Sequence, residues 1–280
     1  MTYSLIGRDP ESGELGVGVQ SQAFNTGAAV PWARPGVGAV ATQSFTDKRY
    51  GWSGLQLLAE GVTPMDVLDR LRAEDELVEF RQVGVMGADG RSAQWTGGHC
   101  VPDAGAASGD TWIAQANMVA SARVWESMGE AFESASGSLA ERLMCGLEAA
   151  ERAGGDWRGR GGAAIVVVPG EGKPWERVID LRVEEGDASL SELRRLLERA
   201  LGYRAASRAT AGREEVGLRY RLPEAHIRWL AIEDALGRGD LVTARALFAE
   251  LEREQPRWRD AMRTISLLPD SEAFADLLTD

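Results

Sequence analysis

The residue best placed to act as a nucleophile is Thr2, the second residue of the chain. A side chain this small allows the initiator Met to be removed, which would put a hydroxyl and a free α-amine on one residue. An α-amine has an ordinary pKa of about 8, so it can accept the proton of its own hydroxyl without a histidine. The pattern favours an N-terminal nucleophile; the alternative is that Thr2 only opens the first strand of the fold.

Other residues that could carry out catalysis are scarce. The chain has two cysteines, Cys100 and Cys145, and two histidines, His99 and His226. These are too few for a disulfide framework, for paired zinc ligands or for a Ser-His-Asp triad. Cys100 follows His99 directly, but neighbours on a strand point to opposite faces, so His99 is not expected to activate the thiol. We expect no metal and no organic cofactor.

The charge and hydropathy of the chain limit its partners. The net charge is -12, which opposes binding to nucleic acid because that affinity depends on clustered Lys and Arg. No segment approaches the ~18 uninterrupted apolar residues of a membrane helix. The start, MTYSLIGRDPESGELG, also lacks the features of a secretory signal. We therefore expect a cytoplasmic protein with no nucleic-acid partner and no membrane span.

Short apolar runs separated by Gly and Pro predict strands in the first two thirds of the chain. The predicted strands cover residues 3–6, 15–19, 37–42, 80–86, 92–96, 112–118, 163–168 and 178–183. The turn DPESGE predicts that the first two strands form a hairpin, and the turn around Asp89 and Gly90 predicts a second hairpin.

Between these strands the apolar residues recur at helical spacing. Two helices are predicted after Trp52, the second starting at Thr63, and a longer helical stretch over 120–153 restarts at Ser138 with Glu141 as a capping box. Runs of strands that alternate with pairs of helices favour antiparallel sheets covered by helices. We predict an α+β fold, a four-layer α-β-β-α sandwich, over residues 1–188.

The remaining residues, 189–280, are predicted to form a helical C-terminal extension. Its predicted helices cover 190–201, 223–236 and 241–254, with a polar linker over 205–217. The last helix has the spacing of a tetratricopeptide second helix, and one such repeat cannot bury its own apolar face. We expect this extension to pack on the first domain or on a partner chain. Edge strands also need cover, so a homodimer is plausible.

Several long motifs add a family resemblance to this interpretation. They are TYSLIGRDPESGELGVGVQSQ, VPWARPGVGAVATQSFTDKRYGWSGLQLLAEG, RQVGVMGADGR, QANM, GGDWRGR and VIDLRV. In this order they resemble the family catalogued as domain of unknown function 1028, over about residues 1 to 190. The resemblance implies the fold of the N-terminal-nucleophile hydrolases and, as a tendency of that superfamily, hydrolysis of amide bonds. A fold does not by itself set a function.

The resemblance also implies a set of catalytic residues. Thr2 is the preferred nucleophile, and Ser4 points the same way on a regular strand, where it would orient the Thr2 amine or replace Thr2. Asn117 and Gln43 would donate hydrogen bonds to a tetrahedral oxyanion. The alternative for these two amides is hydrogen bonding at a sheet edge or a turn.

The residues expected on the substrate side are also polar positions of the family motifs. Arg158 would bind a substrate carboxylate, or else it pairs with Asp156 or Asp180 as a structural ion pair. The other expected substrate-binding residues are Ser21, Thr42, Tyr50, Gln115 and Asp156.

The sequence departs from the family pattern at Asp103 and Ala106, where a Trp and a His are expected nearby, and at Gly161 and Gly162, where Gln-Ser is expected. We expect an amidohydrolase acting on a small amide or peptide-like substrate. The alternative is a non-catalytic binding or scaffold protein on the same fold, with the helical extension as its interaction surface.

Overall fold

The strands form two antiparallel sheets in the computed structural model, which describes residues 2–269 and 271–278. The larger sheet contains, across its width, β10 (Ile179–Val183), β9 (Gly162–Val168), β2 (Leu15–Ser21), β1 (Thr2–Arg8), β8 (Trp112–Asn117) and β7 (Gly105–Gly109). The smaller sheet contains β3 (Pro31–Arg34), β4 (Gly38–Ser44), β5 (Arg81–Gly87) and β6 (Ser92–Thr96). The chain therefore begins on a strand inside the larger sheet, with β2 on one side and β8 on the other.

Pairs of helices cover one face of each sheet. The smaller sheet contacts α1 (Lys48–Ala59) and α2 (Pro64–Ala73), and the larger sheet contacts α3 (Arg123–Ser134) and α4 (Leu139–Arg152). The other faces of the two sheets share one apolar cluster, to which Ile6, Val17, Ala41 and Met86 belong. The first domain is thus a mixed α+β fold whose main core lies between the sheets.

Alternation along β1 decides which of its side chains enter that core. Successive strand residues point to opposite faces. Ile6 belongs to the cluster between the sheets, whereas Leu5 packs against the Gly146 position of α4. Thr2 and Ser4, which share a face with Ile6, therefore lie on the side of the smaller sheet.

The locally encoded features are confirmed. β1 pairs antiparallel with β2 and β5 pairs antiparallel with β6, as the turns predicted. Thr63 caps α2 by accepting a hydrogen bond from the backbone N–H of Asp66, and Ser138 and Glu141 form the capping box of α4. The expected interruption of the helical stretch separates α3 from α4.

Two short strands were not predicted. β3 has only four residues and begins with a proline, while β7 has the sequence GAASG and carries no apolar alternation. Each becomes a strand because it pairs with an apolar neighbour, β3 with β4 and β7 with β8. Their conformation comes from tertiary pairing rather than from local preference.

The chain divides into two compact units, the first ending at Leu197 and the second beginning at Glu198. The division lies within α5 (Ser189–Arg208), which is followed by α6 (Arg213–Arg219). The polar linker predicted over 205–217 is therefore wrong. Its few apolar residues suffice for helices because Ala206 and Val216 pack in a small cluster with Leu222 and Leu230.

The last helices bury their own apolar face. α7 (Glu224–Gly237) and α8 (Leu241–Glu254) pack with α9 (Trp258–Ile265) and a 3-10 helix, Glu272–Leu277. Met262 and Leu277 complete a cluster around Phe248. The chain itself supplies a further layer for this face after residue 254. Packing of the extension on the first domain or on a partner chain stays a prediction. None of the described helices is long and apolar enough to cross a membrane.

Candidate functional site

A row of polar side chains crosses the larger sheet at the start of β1. Thr2 lies opposite Ser21 of β2 on one side and opposite Asn117 of β8 on the other. Directly opposed residues of antiparallel strands point to the same face, so all three side chains project between the sheets. Ser21 and Asn117 are buried, and Thr2 is 8% exposed. The structure therefore brings together three of the residues that the sequence singled out, while their catalytic and binding roles stay predictions.

The hydroxyl of Thr2 is oriented by Ser21. It donates a hydrogen bond to Ser21 Oγ over 3.0 Å. Ser21 Oγ also accepts a hydrogen bond from the backbone N–H of Ala23 at 3.1 Å, which holds it in place. Met1, whose removal would expose the Thr2 amine, lies outside the described residues.

Ser4 serves a different purpose from the one predicted. Its hydroxyl donates to Gln43 Oε1 at 2.6 Å and accepts from Gln115 Nε2 at 3.2 Å, and it is fully buried. Two residues further along the strand it lies roughly 7 Å from Thr2. Replacement of Thr2 by Ser4 as nucleophile is therefore wrong for this arrangement. Ser4 instead fixes the amide of Gln43.

Gln43 links the two sheets at Thr2. Its Nε2 lies 3.1 Å from the backbone carbonyl of Thr2 and 2.7 Å from Gln82 Oε1. An amide nitrogen has two hydrogens to donate, so both are engaged. The expectation that Gln43 donates to an oxyanion is therefore wrong. Gln43 is a positioning residue for the first residue of β1.

Gln82 is a part of the site that the sequence did not reveal. It lies opposite Gln43 across the pairing of β4 with β5, and its Oε1 also accepts from Asn117 Nδ2 at 2.9 Å. Its Nε2 donates to the backbone carbonyl of Ala116 at 2.9 Å. The available signal was a glutamine at the start of the apolar strand RQVGVMG. A buried amide on such a strand requires polar partners.

Gln115 belongs to the same network but reaches away from Thr2. Its Nε2 donates to Ser4 Oγ and to the backbone carbonyl of Ala41, at 3.0 Å for the latter. Its Oε1 has no hydrogen-bond partner among the described residues. This amide joins the sheets beneath the Thr2 row, so its assignment to substrate binding is replaced by a structural one.

Thr42 and Tyr50 lie on the helix-covered face of the smaller sheet, away from Thr2. Thr42 follows the alternation of β4 and donates its hydroxyl to the backbone carbonyl of Asp47 at 3.1 Å. Tyr50, on α1, donates to Asp75 Oδ2 at 3.0 Å. Their assignment to the substrate site is therefore wrong, because β4 separates them from the Thr2 row.

Tyr50 instead belongs to a buried charge cluster. Asp75 also accepts from Arg81 Nε at 2.9 Å, and this guanidinium lowers the pKa of Asp75 to about 2. Burial and the neighbouring Asp75 carboxylate raise the pKa of Tyr50 well above its ordinary value. The phenol stays protonated and the carboxylate stays charged, which suits a structural role.

Asp156 and Arg158 form a rim beside Ser21. Asp156 accepts from the backbone N–H of Gln22 at 2.9 Å and from the backbone N–H of Arg158 at 2.9 Å. Arg158 Nη2 forms an ion pair with Asp156 Oδ2 at 3.3 Å, whereas Asp180 pairs with Arg182. The structural alternative for Arg158, pairing with Asp156, is the one observed.

The departures from the family pattern have a visible consequence at Gly161. A Cβ at this position would lie 2.2 Å from the backbone oxygen of Gln22, so a larger residue would require the backbone to move. Ala106 lies opposite Gln115 across the β7–β8 pairing. Asp103 is exposed and has a positive φ of 30°.

Burial makes the Cys100 thiol a poor nucleophile. Cys100 is buried, its Sγ lies 3.3 Å from the backbone carbonyl of Arg81, and burial raises the pKa of the thiol. A raised pKa reduces the reactive thiolate. Over the described ranges, no group of three or more His, Cys, Asp or Glu could hold a metal ion.

Comparisons with known proteins show a family and name no activity. A family model described as a family of unknown function (DUF1028) matches residues 2–193. Among solved structures, the chain is similar to the crystal structure of protein SPO2555 from Silicibacter pomeroyi, which carries the same family designation, with 27% identity and a TM-score of 0.65. That match covers 71% of this chain and 88% of that chain. A search of curated proteins found no match.

Proposed function

The chain belongs to the DUF1028 family of unknown function, and from its site we propose that it is an N-terminal-nucleophile hydrolase acting on a small amide or peptide-like substrate. The proposal includes the fold: two antiparallel sheets, each covered by a helix pair, are interpreted as the α-β-β-α sandwich of that superfamily. A fold alone would not carry the proposal, because unrelated functions share folds.

The observation that carries the proposal is the position of the Thr2 hydroxyl. It stands at the first residue of an inner strand, faces the space between the sheets, and has Ser21 and Asn117 level with it on the neighbouring strands. A nucleophilic hydroxyl needs a base, an orienting partner and a donor for the oxyanion. The α-amine of a chain starting at Thr2, Ser21 and Asn117 would supply these three functions.

The chemistry follows from these positions. The amine accepts the hydroxyl proton while Thr2 Oγ1 bonds to the amide carbonyl carbon, and Asn117 Nδ2 stabilises the negative oxygen of the tetrahedral intermediate. The protonated amine then gives the proton to the departing nitrogen as the C–N bond breaks. Water hydrolyses the resulting ester by the same base and restores Thr2. Gln43, anchored by Ser4 and Gln82, holds the Thr2 carbonyl and so keeps the strand end in position.

A non-catalytic role on the same fold is the second candidate, and burial favours it. Thr2 is only 8% exposed, and the glutamines beneath it are buried, with Gln43 donating to Gln82 Oε1 and to the backbone carbonyl of Gln115. A buried network of this kind, in which only Gln115 Oε1 lacks a partner among the described residues, stabilises a core without chemistry. A binding protein of this kind would be indifferent to the loss of the Thr2 hydroxyl.

Intact mass spectrometry distinguishes the two candidates. The purified protein is measured before and after treatment with an electrophilic β-lactone probe, and peptide mapping locates the adduct. The hydrolase proposal expects a chain that starts at Thr2 and an adduct on Thr2 that is absent from Thr2→Ala and retained in Thr2→Ser. Ser12→Ala, which removes an exposed hydroxyl from the β1–β2 turn, is the matched control and should label normally. A native protein that retains Met1 and takes no label would refute the proposal.

A further inference from the structure

A second candidate site lies at one edge of the two sheets, away from the Thr2 row. It is a cavity of about 480 Å³ at the edge strands β3 and β10, bordered by α1 and by the loop that joins β9 to β10. Ligand pockets of folded proteins span roughly 300–1,000 Å³, so a small organic molecule fits this volume. Along the larger sheet, three strand spacings separate β10 from β1, about 14 Å at ~4.8 Å each. The cavity is thus distinct from the Thr2 row.

The charge of the cavity opposes that of the whole chain. Three arginines line it, Arg34, Arg177 and Arg182, against one carboxylate, Asp180, although the chain carries a net charge of -12. Such a reversal concentrates positive potential in one cleft, which attracts anions.

Two of these guanidinium groups have no carboxylate partner among the described residues. Arg182 pairs with Asp180 at 3.1 Å, but Arg177 donates only to the backbone carbonyls of Pro174 and Glu176 at 3.0 and 2.8 Å among the described residues. Over the same described ranges, Arg34 forms no salt bridge. A guanidinium that lacks a carboxylate is suited to bind a carboxylate or phosphate of a ligand through two parallel hydrogen bonds.

The wall of the cavity next to α1 is aromatic. Trp32 is held rigidly: its Nε1 donates to the backbone carbonyl of Ala29 at 3.0 Å, and its ring packs on Gly51, where a Cβ would lie 2.3 Å away. Trp52 also lines the cavity and is 62% exposed. An exposed tryptophan beside a fixed one provides flat apolar area for a ring to stack on.

Protection of the sheet edge explains only part of this arrangement. Asp180 and Arg182 occupy positions on the edge strand β10 that pair with Val166 and Ala164, which face the core between the sheets. Inward-pointing charges of this kind prevent edge-to-edge association. They do not account for Arg34 and Arg177, nor for the two tryptophans.

We propose that this cavity binds a small anion with a flat ring, an aromatic carboxylate or a nucleotide-like phosphate. Arg34 and Arg177 contact the anionic group, and Trp32 and Trp52 contact the ring. The proposal does not depend on catalysis at Thr2.

Isothermal titration calorimetry of the full chain tests it, with indole-3-acetate and adenosine monophosphate as probes. Their neutral counterparts, indole-3-acetamide and adenosine, have the same rings without the charge. We expect one of the anions to bind at least tenfold more tightly than its neutral counterpart, and whichever pair shows this identifies the carboxylate or the phosphate as the recognised group. Raising the salt concentration should weaken that binding.

Variants locate the binding in the cavity. Arg34→Gln and Arg177→Gln should each weaken it by roughly 10- to 100-fold, the worth of one charge-assisted hydrogen bond. Trp52→Ala should also weaken binding, and the exposure of Trp52 means that the fold tolerates the change. Arg91→Gln, at an exposed arginine paired with Asp89, is the matched control and should leave binding unchanged. Equal binding of charged and neutral probes, no binding of either anion, or insensitivity to all three cavity variants would overturn the proposal.

Discussion

Replacing Asp75 by Asn should destabilise the first domain strongly at neutral pH. The Asp75 carboxylate accepts hydrogen bonds from Tyr50, from Arg81 and from the backbone N–H of Leu77. Its side chain is 4% exposed and that of Arg81 is 10% exposed. Removing one partner of a buried ion pair costs about 3–5 kcal/mol when the other charge is left uncompensated. Among the described residues, Arg81 would keep only its longer ion pair with Asp47, at 3.9 Å, so the low end of this range applies. Asn keeps the shape of the side chain, so we expect a loss of about 3 kcal/mol in the free energy of unfolding.

The pH dependence of this loss can be worked out from the pKa of Asp75. The pKa falls from 3.8, its ordinary value, to about 2 in the folded protein. A depressed pKa of a carboxyl group contributes stability that is present above pH ~4 and is lost as the pH falls through ~2. The shift corresponds to about 2.4 kcal/mol, at 1.36 kcal/mol for each pH unit. The stability difference between wild type and Asp75→Asn should therefore shrink by about 2 kcal/mol between pH 5 and pH 2.

Urea unfolding followed by tryptophan fluorescence measures both effects. Seven of the nine tryptophans lie before residue 198, so the signal reports mainly on the unit that contains Asp75. Asp69→Asn is the matched control, because Asp69 pairs with Arg72 at the surface and its side chain is 59% exposed. We expect a cost of at most about 1 kcal/mol there. Two results would contradict the prediction. One is an equal loss in the free energy of unfolding for both substitutions at pH 7, and the other is a difference in that free energy between wild type and Asp75→Asn that stays constant down to pH 2.

Three further predictions concern packing, capping and thiol reactivity. Gly51→Ala should lower the free energy of unfolding by about 1–3 kcal/mol, because the new Cβ would lie 2.3 Å from the Trp32 ring. Urea titration measures this loss, and an unchanged unfolding midpoint would mean that the ring moves freely. Ser138→Ala should cost about 1 kcal/mol in the same assay through loss of the α4 capping box, and no loss would show the cap to be redundant. Ellman's reagent at pH 8 should modify Cys100 more slowly than the half-buried Cys145 in the native protein, since burial raises the pKa of Cys100. Equal rates of modification at the two cysteines would contradict the burial of Cys100.

The position of Thr2 could be predicted from the sequence, but its neighbours could be predicted only in part. The alternation of TYSLIGR shows that Thr2 and Ser4 share a face, and the first hairpin places Ser21 beside Thr2. The sequence around β4 does not show that the Thr42 side chain faces the helices while the Gln43 side chain faces Thr2. Alternation makes adjacent residues point apart, and only the packing of the sheet against its partners decides which of the two is turned inward.

The sequence by itself determined the hairpins and the helix caps, because each depends on residues that are near neighbours along the chain. It also determined the family, because each family motif is a continuous run of residues. Tertiary structure alone decided that β8 lies beside β1, which brings Asn117 level with Thr2, and that β5 places Gln82 between Asn117 and Gln43. It also decided that the last helices pack on α9. The physical reason is the same in each case. Distant strands and helices pair in the way that leaves the least apolar surface exposed and the fewest backbone groups without hydrogen bonds over the whole fold. No short segment of the sequence shows which distant segment it will pair with.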